Sequence, residues 1–356
     1  MDRKTTRRDF LIGRLPAALP TNGVPSAKAG ATGASRPASL VHVSRPAMAG
    51  EFQIFLNAGQ YPHGVQTALE ALELLEPLER QMSVFRADSL IQQINQQAAF
   101  GPVEVEDRLF GLLELADHVY HLTEGAFDLT ATPLWEVWGF AQRRPRIPTE
   151  AELAEARARV GWQYVRLDPS KRTIEFTRPG LQLNLGSIGK GYAVDRCAEI
   201  LRQAGIDDWV IHGGQSSVLA HGQRRDMSPG TGWPVGVRHP LRPDRRLGQL
   251  LLKDRALGTS GSGVQFFCSG GRRWAHIIDP RTGQPGEGVL SVTVLAPTAA
   301  EADALATGLF LLGVEKTRLV CQQRPDLAAL FVLPSRRPGG IEVVSIGISE
   351  PIWQPQ

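Results

Sequence analysis

The segment Leu-Asn-Leu-Gly-Ser-Ile-Gly-Lys-Gly-Tyr, residues 183–192, is the densest local signal in this chain of 356 residues. Its apolar start is typical of a strand, and the apolar spacing beyond Ile188 predicts a helix. It is not a Walker phosphate loop, because Asn184 and Gly191 stand where that motif requires glycine and a hydroxyl residue, and its glycine spacing differs from G-x-G-x-x-G. The N–H groups that open the helix, together with Lys190, suit a phosphate. A tight turn whose glycines serve packing alone is the alternative.

Outward from this segment, the apolar residues follow two different periods. Spacings of three and four residues predict helices over residues 65–78 and 109–120, and a stretch rich in Ala, Glu and Arg predicts a third over 152–160. Short β-like runs bounded by glycine and proline occur at residues 51–57, 164–167, 173–176, 181–185, 209–212, 264–267 and 290–295. Because strands and helices do not alternate regularly, a doubly wound parallel sheet is disfavoured. We predict an α+β fold with largely antiparallel sheets and helices packed on them.

The composition is that of a globular protein, with 42% hydrophobic residues. The formal net charge of +3 is unevenly distributed, because residues 1–50 carry +6 and the remaining 306 residues carry −3. A mildly acidic body has no whole-surface basic footprint, so we predict no nucleic-acid partner. The three cysteines lie far apart and support neither a zinc cluster nor a disulfide framework. No apolar run reaches about 18 residues, so no transmembrane segment is predicted.

The basic excess lies in an N-terminal segment that resembles an export signal. Residues 6–11, Thr-Arg-Arg-Asp-Phe-Leu, follow the twin-arginine pattern, and residues 27–29, Ala-Lys-Ala, offer a small-x-small cleavage site. We expect a signal segment over residues 1–29, a flexible linker over 30–47 and one domain over 48–356, with a periplasmic or exported location. The intervening apolar stretch is short and interrupted by Arg14, so the alternative is a basic tail on a cytoplasmic protein.

A second chemical signal lies in residues 301–309, where the apolar spacing predicts a helix. Asp303 and Thr307 stand one turn apart on the same edge of that helix. A carboxylate and a hydroxyl so placed are hard oxygen donors suited to Mg²⁺, with phosphate oxygens completing an octahedron. A surface pair without a ligand is the alternative. His276 lies in a predicted strand that runs into a turn, where a structural role is the alternative to a catalytic one.

Taken in order, the short motifs of the chain resemble the FAD:protein FMN transferase family, also called the ApbE-type flavin transferases. The resemblance runs from about residue 48 to residue 313, and the common order of the motifs makes it specific. The motifs that carry it lie at residues 82–85 (Met-Ser-Val-Phe), 125–128 (Gly-Ala-Phe-Asp), 185–195, 213–214 (Gly-Gly), 259–261 (Thr-Ser-Gly), 276–283 and 302–307. The resemblance implies an ApbE-like flavin transferase fold for this α+β chain.

The resemblance also implies which residues bind FAD and a metal. Met48 and Phe85 would pack on the flavin or adenine ring. The remaining positions that would bind FAD are Ala126, Phe127, Asp128, Asn184, Lys190 and Ile277. The positions that would bind Mg²⁺ are Ser187 (through its carbonyl), Asp303 and Thr307.

In the reaction implied by the resemblance, a threonine hydroxyl of a target protein attacks the FMN-side phosphorus of FAD, which leaves AMP and a phosphoester-linked FMN. Such a transfer needs charge neutralisation by metal, in-line positioning and a proton acceptor. We expect His276 to be that acceptor, because an unperturbed imidazole titrates near pH 6.5; Asp279 and the second catalytic residue, Asp303, are the alternatives. The implied partner is an acceptor protein with a Ser/Thr-Gly-Ala-Thr-type flavinylation site, with peripheral contact to membrane redox complexes.

Three positions depart from the family pattern, and two other functions use the same residues. Met-Ala-Gly at residues 48–50 replaces Met-Gly-Thr, Asn184 stands where aspartate is common, and Gln215 follows the glycine pair. The first alternative function is an FAD pyrophosphatase that releases FMN and AMP. The second is a non-catalytic FAD-binding protein. Asp303 and Thr307 are both retained, which favours an enzyme.

Overall fold

The computed structural model describes residues 39–263, 265–337 and 339–356. The strands are β1 (Leu40–Ala47), β2 (Gly50–Asn57), β3 (Val103–Glu104), β4 (Val165–Asp168), β5 (Thr173–Phe176), β6 (Trp209–Gly213), β7 (Ser217–His221), β8 (Trp233–His239), β9 (Arg242–Leu252), β10 (Arg255–Gly261), β11 (Phe266–Ser269), β12 (Arg272–Ala275), β13 (Ser291–Ala296), β14 (Ala328–Pro334), β15 (Ile341–Ile346) and β16 (Trp353–Pro355). The helices are α1 (Gly64–Glu73), α2 (Leu75–Met82), α3 (Leu90–Gln97), α4 (Asp107–Leu122), α5 (Thr132–Val137), α6 (Glu150–Arg157), α7 (Gly189–Gln203) and α8 (Ala299–Gln323). Within these ranges, the helices are too short or too polar to cross a membrane.

An eight-stranded antiparallel sheet forms the centre of the described chain, in the order β1-β2-β6-β7-β10-β13-β14-β15. Side chains along a strand alternate between the two faces of a sheet. In β14, Ala329 and Phe331 lie in the main core with the helices, whereas Ala328 and Leu330 belong to a second core on the other face. The predicted α+β fold with largely antiparallel sheets is therefore confirmed.

On the helical face, α8 approaches both the sheet and α7 at glycines. A Cβ atom at Gly258 in β10 would lie 2.4 Å from the carbonyl oxygen of Ala302, and one at Gly191 in α7 would lie 2.1 Å from the carbonyl oxygen of Ala299. Only a residue without a side chain fits at either position, because real Cβ contacts essentially never come this close. The first turns of α8 are thereby wedged between β10 and α7.

The N-terminus of α8 is held by side chains from outside the helix. The carboxylate of Asp195 accepts hydrogen bonds from the N–H groups of Ala299 and Ala300, both at 2.8 Å. The hydroxyl of Thr298 accepts from the N–H of Glu301 at 3.3 Å. These bonds satisfy amide groups that have no partner within the helix. Burial raises the pKa of Asp195 to about 7.

The other face of the main sheet carries a small sheet in the order β16-β9-β8. Trp233, Val235 and Leu250 of the small sheet pack with Val218 and Leu257 of the main sheet. The β8–β9 pairing becomes irregular after Val237, and the hairpin end beyond it is largely exposed. A cleft opens between this hairpin and the main sheet.

A third apolar cluster fixes the segment that contains His276. Leu134, Trp138 and Ile278 pack together between α5, α6 and the β11–β12 hairpin. The indole N–H of Trp138 donates to the carbonyl of Gly283 at 2.8 Å. The chain that follows β12 is therefore anchored on both sides of the predicted turn.

The N-terminal boundary of the folded region differs from the prediction. Leu40–Ala47 form β1 and pair with β2, so the flexible linker expected over residues 30–47 is wrong for these eight residues. Their side chains alternate between half-buried and exposed, which is the pattern of an edge strand. The signal segment expected over residues 1–29 lies outside the described residues, and export stays a prediction.

Two predicted elements upstream of α8 are also corrected. Residues 181–185 do not form a strand, because the side chain of Asn95 takes the place of a neighbouring strand: it accepts from the N–H of Leu183 at 2.7 Å and donates to its carbonyl at 3.0 Å. A short 3-10 helix, Leu185–Ser187, follows. The single helix predicted over residues 65–78 is instead two helices, α1 and α2, which meet at Leu74.

The close approach of α7 and α8 predicts that even one added methyl group at their contact destabilises the protein. Gly191→Ala adds a methyl group against the backbone of α8 and should lower the free energy of unfolding by about 1–3 kcal/mol, as overpacking does. Gly111→Ala is the matched control, because Gly111 is also within a helix but has open space around it. That control should gain as much as about 1 kcal/mol from helix propensity. Urea unfolding measures both, and equal effects of the two substitutions would contradict the wedged position of α8.

Candidate active site

A cleft of about 1190 Å³ lies between the main sheet, the β8–β9 hairpin and the start of α7. Loop residues and side chains of α8 also contribute to its walls. The sequence-predicted site residues that line it are Phe85, Ala126, Phe127, Asp128, Asn184, Ser187, Lys190, His276, Ile277, Asp303 and Thr307. Segments far apart in the sequence are therefore brought to one cavity.

Asp303 is the most constrained of these residues. Its side chain is buried, and the hydroxyl of Ser217 donates to its two carboxylate oxygens at 2.8 and 2.6 Å. The N–H of Gly191 donates to Oδ2 at 2.8 Å. Burial raises the pKa of Asp303 to about 6, against the opposing effects of the charge of Lys190 and of the hydrogen bonds. A carboxylate held in this way is costly unless a cation completes its surroundings.

Oxygen donors from three segments accompany Asp303 in the cleft. Thr307 lies one turn further along α8, and its hydroxyl is 3.2 Å from that of Ser260 in β10. In a regular helix, the N–H of Gly191 would donate to the carbonyl of Ser187, four residues earlier. Here it donates to Asp303 instead. Carboxylate, hydroxyl and carbonyl oxygens are the donor types that a hard divalent cation prefers. No group of three or more His, Cys, Asp and Glu side chains suited to a metal occurs within residues 39–263, 265–337 and 339–356.

Lys190 supplies positive charge beside this carboxylate. It lies in the first turn of α7, and its charge lowers the pKa of Asp303. Its side chain passes over Gly214, where an added Cβ atom would lie 3.7 Å from the lysine Cδ. Gly214 also has a φ of +65°, a conformation that favours glycine. The predicted glycine pair thus makes room for the lysine and for a sharp end to β6.

His276 lines the same cleft with one ring nitrogen already engaged. Its Nδ1 lies 3.0 Å from the carbonyl oxygen of Gln265, which accepts only, so Nδ1 carries the proton and Nε2 keeps its lone pair. Burial lowers the pKa of His276 below its usual value. The imidazole is therefore neutral at pH 7 and able to accept a proton at Nε2. Asp279, the alternative acceptor, is paired with Arg281.

Three predicted FAD-binding positions have distinct surroundings. Phe85 is 87% exposed at the cleft and is free to stack on a ring. Asn184 accepts from the N–H of Gly186 at 2.9 Å. Burial raises the pKa of Asp128, whose carboxylate accepts from the N–H and hydroxyl of Thr130 and from the N–H of Trp162. Its side chain therefore holds a turn as well as lining the cleft.

Met48 is placed differently from the other predicted positions. It does not line the cleft but occupies the β1–β2 turn, with a φ of +50°. Its N–H donates to Oε2 of Glu79 at 2.9 Å, and its side chain packs against the main core. Next to this turn, an added Cβ atom at Gly50 would lie 3.3 Å from the Cα of the cleft residue Gly214.

Some residues that shape the site are not among the predicted site residues, although Ser260 lies in the Thr-Ser-Gly motif of residues 259–261. Ser217 binds Asp303 from a strand 86 positions away, and Ser260 contacts Thr307 across 47 positions. His212 also lines the cleft, where burial lowers its pKa to about 4. The two serines stand in β7 and β10, and their positions beside α8 depend on the order of strands in the main sheet, so the topology reveals their contacts.

Solved structures define the class of protein to which this fold and cleft correspond. The flavin transferase ApbE from Vibrio cholerae matches 87% of this chain and 98% of its own, with a TM-score of 0.75 and 31% identity. The flavinyl transferase ApbE of Pseudomonas stutzeri also gives a TM-score of 0.75, with 28% identity over 87% of this chain and 95% of its own. The fold is therefore that of the ApbE flavin transferases, as predicted.

Curated relatives and a family model agree with this class. The FAD:protein FMN transferase of Vibrio cholerae serotype O1 is 33% identical over 295 residues, which cover 82% of this chain and 86% of that protein. The FAD:protein FMN transferase of Escherichia coli K12 is 30% identical over 274 residues, or 75% of each chain. The ApbE family model matches residues 48–331. The chain belongs to the ApbE family.

The hydroxyl of Ser217 is expected to stabilise the ionised form of Asp303. Ser217→Ala should lower the free energy of unfolding of the metal-free protein by about 1–3 kcal/mol at pH 8, where the buried carboxylate is charged and loses a donor. Because burial raises the pKa of Asp303 to about 6, the carboxylate is protonated at pH 4.5 and the loss should shrink there. Ser216→Ala is the control, because the Ser216 hydroxyl contacts the Ser217 hydroxyl at 3.5 Å and is not one of the donors to Asp303. Urea unfolding in EDTA gives both values; a loss that is larger at pH 4.5 would contradict this arrangement.

Proposed function

We propose that this chain transfers the FMN moiety of FAD to a threonine of a target protein and releases AMP, with Mg²⁺ as cofactor. The observation that carries the proposal is the buried carboxylate of Asp303, set beside Lys190 and Thr307 at a wide cleft in a chain of the ApbE family. The chain covers most of the length of relatives named FAD:protein FMN transferase, which supports the same activity for it.

The residues present fit a hard divalent cation. Asp303, Thr307 and the carbonyl of Ser187 would hold the metal, and they are oxygen donors from two segments that the Gly191–Asp303 bond ties together. When bound, Mg²⁺ neutralises charge on the phosphate oxygens. Lys190 would bind the pyrophosphate at the start of α7, where helix N–H groups also favour an anion.

The transfer itself needs a nucleophile, a leaving group and a proton acceptor. The threonine Oγ forms a bond to the FMN-side phosphorus while the bond from that phosphorus to the bridging oxygen breaks, and AMP leaves with that oxygen. The threonine proton passes to Nε2 of His276, which the Gln265 carbonyl holds in the correct tautomer. An extended cleft leaves room for the acceptor segment beside FAD.

Two other functions use the same cleft residues and give different products from FAD. An FAD pyrophosphatase would use the same metal and phosphate contacts with water as the nucleophile, and would release FMN and AMP. A flavin carrier would bind FAD and leave it intact. The retained Asp303 carboxylate favours an enzyme, because a carrier has no need of a costly buried charge beside the phosphates.

Incubation of the protein lacking residues 1–29 with FAD, Mg²⁺ and an acceptor domain bearing a Ser-Gly-Ala-Thr site should yield an acceptor heavier by one FMN. Mass spectrometry of the acceptor measures the transfer, and chromatography measures FMN and AMP. Asp303→Ala should abolish the adduct because it removes the metal-binding carboxylate, whereas Asp107→Ala, an exposed control on α4, should not. Free FMN with an unmodified acceptor would favour the pyrophosphatase, and intact FAD would favour the carrier.

His276→Gln should lower kcat for transfer by about 10²–10⁴-fold with little change in KM for FAD, since a positioned general base contributes that much. In the unsubstituted enzyme, the acid limb of kcat/KM that is due to His276 should lie below pH 6.5, because burial lowers the pKa of this imidazole and delays its protonation as the pH falls. Steady-state rates between pH 5 and 9 give both results. An unchanged kcat in His276→Gln would exclude this residue as the acceptor.

A further inference from the structure

The end of the β8–β9 hairpin carries a concentration of arginines that the FAD site does not require. Residues 238–246 contain four arginines and one aspartate, a local charge of +3 before any contribution from His239. Residues 39–356 as a whole hold 32 Lys and Arg against 34 Asp and Glu, so this segment opposes the charge of the body. We define the arginine hairpin as Arg238, Arg242, Arg245 and Arg246.

The arginine hairpin forms part of the wall of the cleft and faces solvent. Arg238, Arg245 and Arg246 line the cleft, and all four arginines are exposed. None of the four lies within 4.0 Å of a carboxylate oxygen among the described residues, whereas eleven other arginines there do. Their charges are therefore free to act on a molecule that approaches the opening.

The local backbone keeps these side chains at the cleft. The β8–β9 register shifts on both sides of Arg238, as a β-bulge does, and such irregularities redirect side chains. The side chain of Arg246 lies against Gly236, where an added Cβ atom would be only 2.9 Å from Nε. The charges of Arg242 and Arg245 also lower the pKa of His239, after the larger effect of burial. The hairpin therefore concentrates positive potential at one end of the cleft.

We propose that the arginine hairpin docks an acidic segment of the acceptor protein, next to the threonine that receives FMN. This inference rests on the proposed function, since it concerns the second substrate of that reaction. The pyrophosphate already has Lys190 and the Asp303 metal position, whereas the exposed arginines would stay hydrated around a small ligand and become desolvated only under a protein surface. Arginine also suits carboxylates, because its planar guanidinium pairs with them in a bidentate way.

Two synthetic peptides test the proposal, both with a Ser-Gly-Ala-Thr core and with flanks of either glutamate or glutamine. The wild-type protein should flavinylate the glutamate peptide with about tenfold higher kcat/KM at low ionic strength, and salt should erase the preference. Arg242→Glu with Arg245→Glu should remove the preference and leave KM for FAD unchanged. Arg336→Glu with Arg337→Glu is the matched control, because these exposed arginines do not line the cleft.

Equal kcat/KM for the two peptides in the wild-type protein would overturn the proposal. A rise in KM for FAD in the Arg242/Arg245 variant, with unchanged peptide kinetics, would also overturn it and assign the arginines to FAD. Failure of the proposed function has a separate signature, because neither peptide would then gain FMN with any variant. Fluorescence anisotropy of labelled peptides covers that case: tighter binding of the glutamate peptide by wild type, lost in the Arg242/Arg245 variant, supports docking, and equal binding overturns it.

Discussion

The hydrogen bonds that converge on the Asp303 carboxylate are the interaction on which the site depends. Ser217 belongs to β7 and Gly191 to α7, so one side chain on α8 joins a strand and a second helix. Because the Gly191 N–H donates to Asp303, it does not donate to the carbonyl of Ser187, four residues earlier. The position of the carboxylate in turn requires α8 to lie against Gly258 and Gly191, where no side chain intervenes. Packing and chemistry therefore constrain the same few residues.

Much of this arrangement follows from local patterns in the sequence. Short β-like runs bounded by glycine and proline predicted the strands near residues 173–176 and 209–212, and the spacing of three and four residues predicted α4, α7 and α8. Most site positions implied by the family resemblance line one cleft. These predictions succeed because periodicity and short motifs are properties of neighbouring residues.

The errors occur where distant residues decide the local structure. Residues 181–185 have the apolar content of a strand, but the side chain of Asn95 satisfies their backbone in place of strand pairing. Leu40–Ala47 follow a stretch rich in small residues, yet β2 offers them an edge to pair with. The roles of Ser217 and Ser260 depend on the order of strands in the main sheet, which no local pattern contains.

The long sequence separations within the site have a consequence for how the protein acquires activity. Asp303 bonds to Ser217 and Gly191, which stand 86 and 112 positions earlier in the chain. Neither residue has this partner until synthesis has reached the start of α8. During synthesis, the glycine-rich segment and β7 emerge well ahead of that helix, without the residue that ties them together. Contacts of such high order form late and slow the folding of a domain. Capture of the nucleotide is thus a readout of completed folding, and a truncated or misassembled chain should not sequester flavin.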